Sequence, residues 1–242
     1  MSLPVYFSLP LMIGMPQLVD TGSIMADTVR MGNLAAEAIA DAVKSLNDRD
    51  TDLARQVIER DKAIDGLQAG IDGKCMEAFS GCLKGRPLRA VAATYRIIAD
   101  LERIGDYSVS VANVTLALAN KPVMPLEINI LSMQEIATLM LQRSMEYYAQ
   151  GQTGSLEQVF SDDLEIDRLY GKVFYDGLGE IVHRPETATN VVYVIVASRA
   201  LERIGDHVTD IAERAEFIET GRLAERSVPM HVPPDLRDIT WE

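Results

Sequence analysis

The same six residues, Leu-Glu-Arg-Ile-Gly-Asp, occur at 101–106 and again at 201–206. Each copy sets a Glu and an Asp four residues apart: Glu102 with Asp106, and Glu202 with Asp206. On a helix that spacing stacks two carboxylates on one face, where like charges repel and weaken the helix. Asp210 extends the second row by one more turn. Upstream, Asp61 and Asp65 have the same spacing, and so do Asp163 and Asp167. Repulsion built in this often calls for compensation by protons, by basic side chains or, best of all, by cations that prefer oxygen ligands. Facing helices carrying Asp-x-x-x-Asp and Glu-x-x-x-Asp would present four carboxylates per unit, enough for a multinuclear iron, manganese or similar site. The plainer reading of any one pair is a solvated acidic face, and Arg103 and Arg203 stand beside the acids as ready salt-bridge partners. Exact duplication of the hexapeptide weighs toward a site. So does a glycine in mid-helix, Gly105 and Gly205, which costs about 1 kcal/mol against alanine and asks for a reason in packing or access.

The elements that must hold these residues are long helices. Ten prolines occur, yet between Gln17 and Val228 there are only Pro87, Pro122, Pro125 and Pro185. Ile24, Val29, Met31, Leu34, Ala38, Ile39, Ala42, Val43 and Leu46 follow helical spacing and define the face of a first helix. Asn47 to Asp50 reads as a turn. A second helix is expected from about Thr51 to Gly85, and a third from Pro87, in the favoured first turn, to Ala119. The second half repeats the scheme, with helices from about Leu126 to Gln150, Ser155 to His183 and Glu186 to Thr220. The hexapeptides lie 100 residues apart, the Asp-x-x-x-Asp pairs 102 and the Arg-Pro pairs at 86–87 and 184–185 98. Three landmarks in one order at nearly one offset mark a tandem duplication. The fold class is therefore all-α: two tandem antiparallel three-helix bundles, over 23–121 and 122–221, with short loops making consecutive helices neighbours. Residues 1–22 are expected to form an apolar, proline-containing arm and 222–242 an irregular proline-rich tail.

Composition agrees and excludes much else. Of 242 residues 48% are hydrophobic but only 6% aromatic, a profile of helices rather than sheets. Lys and Arg number 23 against 36 Asp and Glu, a formal charge of −13 that disfavours direct nucleic-acid binding. Cys75 and Cys82 are read as two turns apart on one helix, too far for a disulfide, and suit a reducing cytosol. The three histidines are scattered, although His207 adjoins Asp206. Gly66, Gly70 and Gly73 lie on helix two at a spacing that predicts close helix packing. Residues 3–19 carry no charge, but Pro4, Pro10 and Pro16 interrupt them and they are too short to span a bilayer; they are expected to pack on this chain or a neighbour, with the stub of an upstream region as the alternative.

The doubled hexapeptide, each copy preceded by an Asp-x-x-Ile-Asp segment, resembles the PhoU family of phosphate-uptake regulators. Met31-Gly32, Pro87-Leu88-Arg89 and Arg96 to Asp100 strengthen the likeness in the first half. Arg199-Ala200, His207 and the run from Asp210 to Glu213 do so in the second. The resemblance implies two similar three-helix bundles holding metal ions, most often iron, with manganese, zinc or magnesium as alternatives. Its implied ligands are Asp61, Asp65, Glu102 and Asp106 in the first unit and Asp163, Asp167, Glu202 and Asp206 in the second. It also implies a non-enzymatic cytoplasmic adaptor, working at the inner face of the membrane. Its partners would be the ATPase subunit of a phosphate ABC transporter and a sensor histidine kinase, and a homodimer is left open. Asp210 stands where the family often has Asn, and Ser110 takes the equivalent place after the first motif, so the two sites are expected to differ in strength. Two other readings stay open from sequence: a regulatory domain of a larger membrane transporter or channel, and a carboxylate-bridged metalloenzyme.

Overall fold

The computed structural model describes residues 20–122, 130–151 and 156–222. They form six helices and, among the described residues, no strand: α1 Thr21–Asp48, α2 Thr51–Ser80, α3 Gly85–Leu118, α4 Ile130–Gln150, α5 Glu157–His183 and α6 Ala188–Thr220, the last preceded by a 3-10 turn at Pro185–Thr187. Residues 1–19 of the arm, the start of the expected fourth helix and residues 223–242 of the tail fall outside these residues, while Thr21 and Gly22, counted in the arm, begin α1. Local chemistry sets the ends. The Asp20 carboxylate accepts the Ser23 N–H at 3.0 Å and starts α1. Arg49, at φ 56°, ends it in the left-handed region, and the Asp50 side chain caps α2 through the N–H groups of Asp52 and Leu53. Two residues thus reverse the chain, as the Asn47–Asp50 turn predicts.

Three details differ from the sequence reading. Helix α2 ends at Ser80, not Gly85, because residues 81–84 run out of the helix and return Leu83 to pack against the core. Cys82 therefore lies in the connection rather than on the helix; it is exposed, whereas Cys75 is buried, and both thiols are free. Gly66, Gly70 and Gly73 do not mediate close packing, since a Cβ at any of them would meet nothing within 4 Å. Their row faces away from the neighbouring helices.

Helices α1, α2 and α3 pack mutually, and so do α4, α5 and α6. The two units then join through α3 against α6, the most extensive helix contact, and α1 against α4. Helices α3 and α6 run antiparallel: Arg86 pairs with Glu219 at 2.5 Å, and Arg89 donates to the Ile218 carbonyl at 3.0 Å. Between α1 and α4 there is no slack, for a Cβ on Gly32 would come within 2.9 Å of the Met145 methyl. The Thr94 and Tyr148 hydroxyls bond across the units at 2.7 Å. Arg49 reaches the carbonyls of Lys121 and Pro122 at the end of α3. The buried apolar side chains of both units form one continuous cluster, with Met31, Leu101, Met140 and Leu201 all fully enclosed.

Candidate metal centres

Each repeat brings its two acidic pairs together where its second helix crosses its third. In the first unit Asp61 and Asp65 of α2 face Glu102 and Asp106 of α3. Their proximity shows in the Asp61 carboxyl, pushed up to about 6 by burial and then by the charges of Asp65, Asp106 and Glu102. Glu102 is raised too, by burial and by Asp106, with Arg103 opposing. Asp61 Oδ1 is buried with no hydrogen-bond partner. Gly105 is what admits it: a Cβ there would stand 2.5 Å from that oxygen. Arg103 leans over the group from outside, 3.3 Å from Asp106 and 3.8 Å from Glu102.

The second unit repeats this geometry more deeply. Asp163 is only 2% exposed, and its carboxyl is pushed up to about 7 by burial and then by Asp167, Asp206 and Glu202. Glu202, 8% exposed, is likewise pushed up to about 7 by burial and by Asp206, against the pull of Arg199 and Arg203. Gly205 makes the room, since its Cβ would lie 2.7 Å from Asp163 Oδ1. Glu202 Oε1 pairs with Arg199, but Oε2 is buried without a hydrogen-bond partner and has Arg203 Nε at 3.6 Å. Arg203 also meets Asp206 at 2.8 Å. The Arg199 guanidinium in turn sits 5.3 Å from the centre of the Tyr170 ring.

Asp210 belongs elsewhere in part. It lies with Asp100 and His207 at the α3–α6 crossing, the one set among the described residues in which three ligand-type atoms come within 4.8 Å of one another. Arg214 already answers that charge, pairing with Asp100 and lying 3.9 Å from Asp210. His207 Nδ1 is 3.1 Å from the other Asp100 oxygen, and its ring lies 5.7 Å from that of Tyr107 at 31°. Burial raises the Asp210 carboxyl, and Arg214 opposes the rise. Sequence reasoning missed Asp100 and Arg214. Neither belongs to a spaced acidic pair, and their repeat counterparts, Ala200 and Val114, carry no charge.

The two acidic clusters offer oxygen donors only, each with a glycine beneath its enclosed aspartate and a buried carboxylate oxygen left over, Asp61 Oδ1 above Gly105 in the first and Glu202 Oε2 beside Asp163 in the second. That chemistry fits hard or borderline cations such as iron, manganese or magnesium. As placed, neither cluster brings three of its ligand atoms within 4.8 Å of one another, so neither encloses a ready-made coordination sphere. A cation entering either cluster would replace the arginines now answering the charge.

Fold and site together define a class: a tandem-repeat helical protein with one four-carboxylate cluster per repeat, held between the second and third helices. The model of the PhoU domain matches the chain twice, over residues 28–115 and 130–215, and the chain belongs to the PhoU family. Among its relatives is the phosphate-specific transport system accessory protein PhoU homolog of Rhizobium meliloti, 31% identical over 204 residues that cover 82% of this chain and 85% of that one. The homolog of Xylella fastidiosa strain Temecula1 is 29% identical over 202 residues, 84% of each chain. PhoU of Escherichia coli K12 is 26% identical over 195 residues, 79% and 80% of the two chains. Among solved structures, PhoU from Pseudomonas aeruginosa superposes with a TM-score of 0.80 at 28% identity, covering 83% of this chain and 97% of that one. The phosphate transport system regulatory protein PhoU from Streptococcus pneumoniae shares the fold, with a TM-score of 0.77 at 24% identity.

Proposed function

We propose that this chain is a metal-binding regulator of phosphate uptake. It works at the cytoplasmic face of the membrane as a non-catalytic adaptor between the ATPase subunit of a phosphate ABC transporter and a sensor histidine kinase, and it restrains the phosphate-starvation response when phosphate is plentiful. The names of its relatives, accessory proteins of phosphate-specific transport systems, support the physiological part. One observation carries the metal-binding part: the same cradle is built twice, Gly105 beneath Asp61 and Gly205 beneath Asp163. Structural salt bridges alone do not require a mid-helix glycine at both places. Asp61, Asp65, Glu102 and Asp106 would hold cations in the first unit, and Asp163, Asp167, Glu202 and Asp206 in the second, with Asp210 one turn beyond. Bound iron or manganese would neutralise the clustered charge and tie α2 to α3 and α5 to α6. The exposed acidic rims would then select partners with basic surfaces.

The test is metal content per chain by mass spectrometry after nickel-free purification, for wild type and Glu102→Gln/Glu202→Gln, with binding to the purified ATPase subunit measured on the same samples. Several equivalents of metal, lost in the variant together with partner binding, are expected. A folded chain that takes up no metal on reconstitution would reduce the carboxylates to a charged face. Binding unchanged on charge reversal of the rims would refute the docking surface.

A further inference from the structure

We propose that the uncharged N-terminal run, residues 3–19, docks on an apolar patch of its own chain formed by Met76 and Phe79 of α2 with Leu88 and Tyr95 of α3. These four large side chains are 39–57% exposed. Phe79 and Tyr95 meet edge to face across the two helices, ring centres 6.1 Å apart. Met76 lies one turn before Phe79, and Leu88 two turns before Tyr95, so the patch lies along the α2–α3 groove at the end where the two helices join. Exposed apolar surface of this kind marks a binding site.

The path of the chain names the occupant. Lys74 of α2 pairs with Asp27 at 2.5 Å and bonds the Ser23 hydroxyl at 2.7 Å. Helices α1 and α2 run antiparallel, so Thr21, where α1 begins, stands past Lys74 at the level of Phe79. The preceding residues therefore leave α1 at the level of the patch, but on the far side of α2 from it, since Met76 and Phe79 lie roughly half a turn round the helix from Lys74; the run must pass over the end of α2, about one helix diameter of 10–12 Å, to reach the groove. Val5, Phe7, Leu11 and Ile13 supply apolar side chains, and Pro4, Pro10 and Pro16 suit an extended segment lying in a groove rather than a helix. Nineteen residues reach about 60 Å when extended. Tethering gives such a segment a millimolar effective concentration over nearby surface.

A second apolar group, Leu178, Val182, Val192 and Val196, occupies the matching place on α5 and α6. It lies at the far end of the molecule: Asn190 bonds the Pro122 carbonyl past the end of α3, and Ser45, near the end of α1, meets Thr115. That is roughly the 42 Å length of α1 away from Thr21, so the run would be spent in reaching it. A formal charge of −13 argues against an anionic membrane surface as the occupant of the first patch.

Exposed Cys82, three residues after Phe79, offers a test in the full chain, since Cys75 is buried. A benzophenone maleimide on Cys82 is irradiated in dilute protein and the crosslinked peptides are mapped by mass spectrometry. Crosslinks within one chain to residues 3–19 are expected, with a yield independent of protein concentration. That yield should be lost in Met76→Glu/Phe79→Glu and in Val5→Asp/Phe7→Asp/Leu11→Asp, with helicity unchanged by circular dichroism. Crosslinks confined to other segments, crosslinks between chains that grow with concentration, or an arm crosslink indifferent to both variants would overturn the proposal.

Discussion

At Gly105 and Gly205 one carbon atom decides whether a carboxylate fits between two helices. In an ordinary helix interior, Gly→Ala adds up to about 1 kcal/mol of stability. At these two positions the new Cβ would press on Asp61 Oδ1 and Asp163 Oδ1, ends of side chains that can move away. Gly105→Ala and Gly205→Ala should each fold yet lose about half of the bound manganese in a calorimetric titration, and together nearly all, if each repeat holds an equal share. Gly66→Ala, Gly70→Ala and Gly73→Ala face open space and should each raise stability by up to about 1 kcal/mol without touching metal uptake. The acidic pairs were legible as spacing, because helical geometry alone puts i and i+4 on one face. Which carboxylate is enclosed was not legible: Asp61 and Asp163 lie under the glycines, whereas Asp65 is exposed. Nor was Asp100, whose arginine is 114 residues away and whose repeat position holds Ala200.

Between elements, the same enclosed acids make the helix pairs sensitive to pH. In the folded chain Asp163 and Glu202 titrate near 7 and Asp61 near 6, whereas in the unfolded chain such carboxyls titrate near about 4. The folded state therefore holds protons that the unfolded state has released, and stability falls as pH rises from about 4 to about 7. In EDTA, the melting temperature should drop by several degrees between about pH 5.5 and pH 8. Asp163→Asn/Glu202→Gln, or saturating manganese, should flatten that slope; a melting temperature that rises over this interval would contradict the buried-acid geometry. The α3–α6 crossing makes a separate prediction. Asp100→Asn removes the charge that pairs with Arg214, leaving Asp210 at 3.9 Å as its remaining carboxylate, and should cost about 2 kcal/mol, read as a lower urea midpoint at unchanged slope. Helix existence and order were readable from proline placement and apolar periodicity. The end of α2 was not, because the exit at Gly81 depends on Leu83 finding the core, a tertiary contact no local pattern reports.

For the molecule as a whole, duplication suggests two bundles, but the continuous core makes them one body. Far-UV dichroism and tyrosine fluorescence should lose structure at the same denaturant concentration, in one transition; two separated midpoints would mean that the bundles are independent. Residues 23–121 produced alone should bind a hydrophobic dye and aggregate, because α1 and α3 would bare the faces now covered by α4 and α6. The contact of Tyr107 with His207 carries a further consequence, for these two residues occupy the same place in their repeats. A surface that meets its own equivalent obeys the geometry of a two-fold homodimer, in which whatever one side carries the other must carry as well. Two identical chains could not set Asp100 against Arg214 without also setting an arginine and an aspartate at the mirrored positions. Joining both halves in one polypeptide lifts that obligation. Asp100 faces Arg214 while Ala200 and Val114 stay neutral, so the seam is held by a lopsided latch that no pair of identical chains could have.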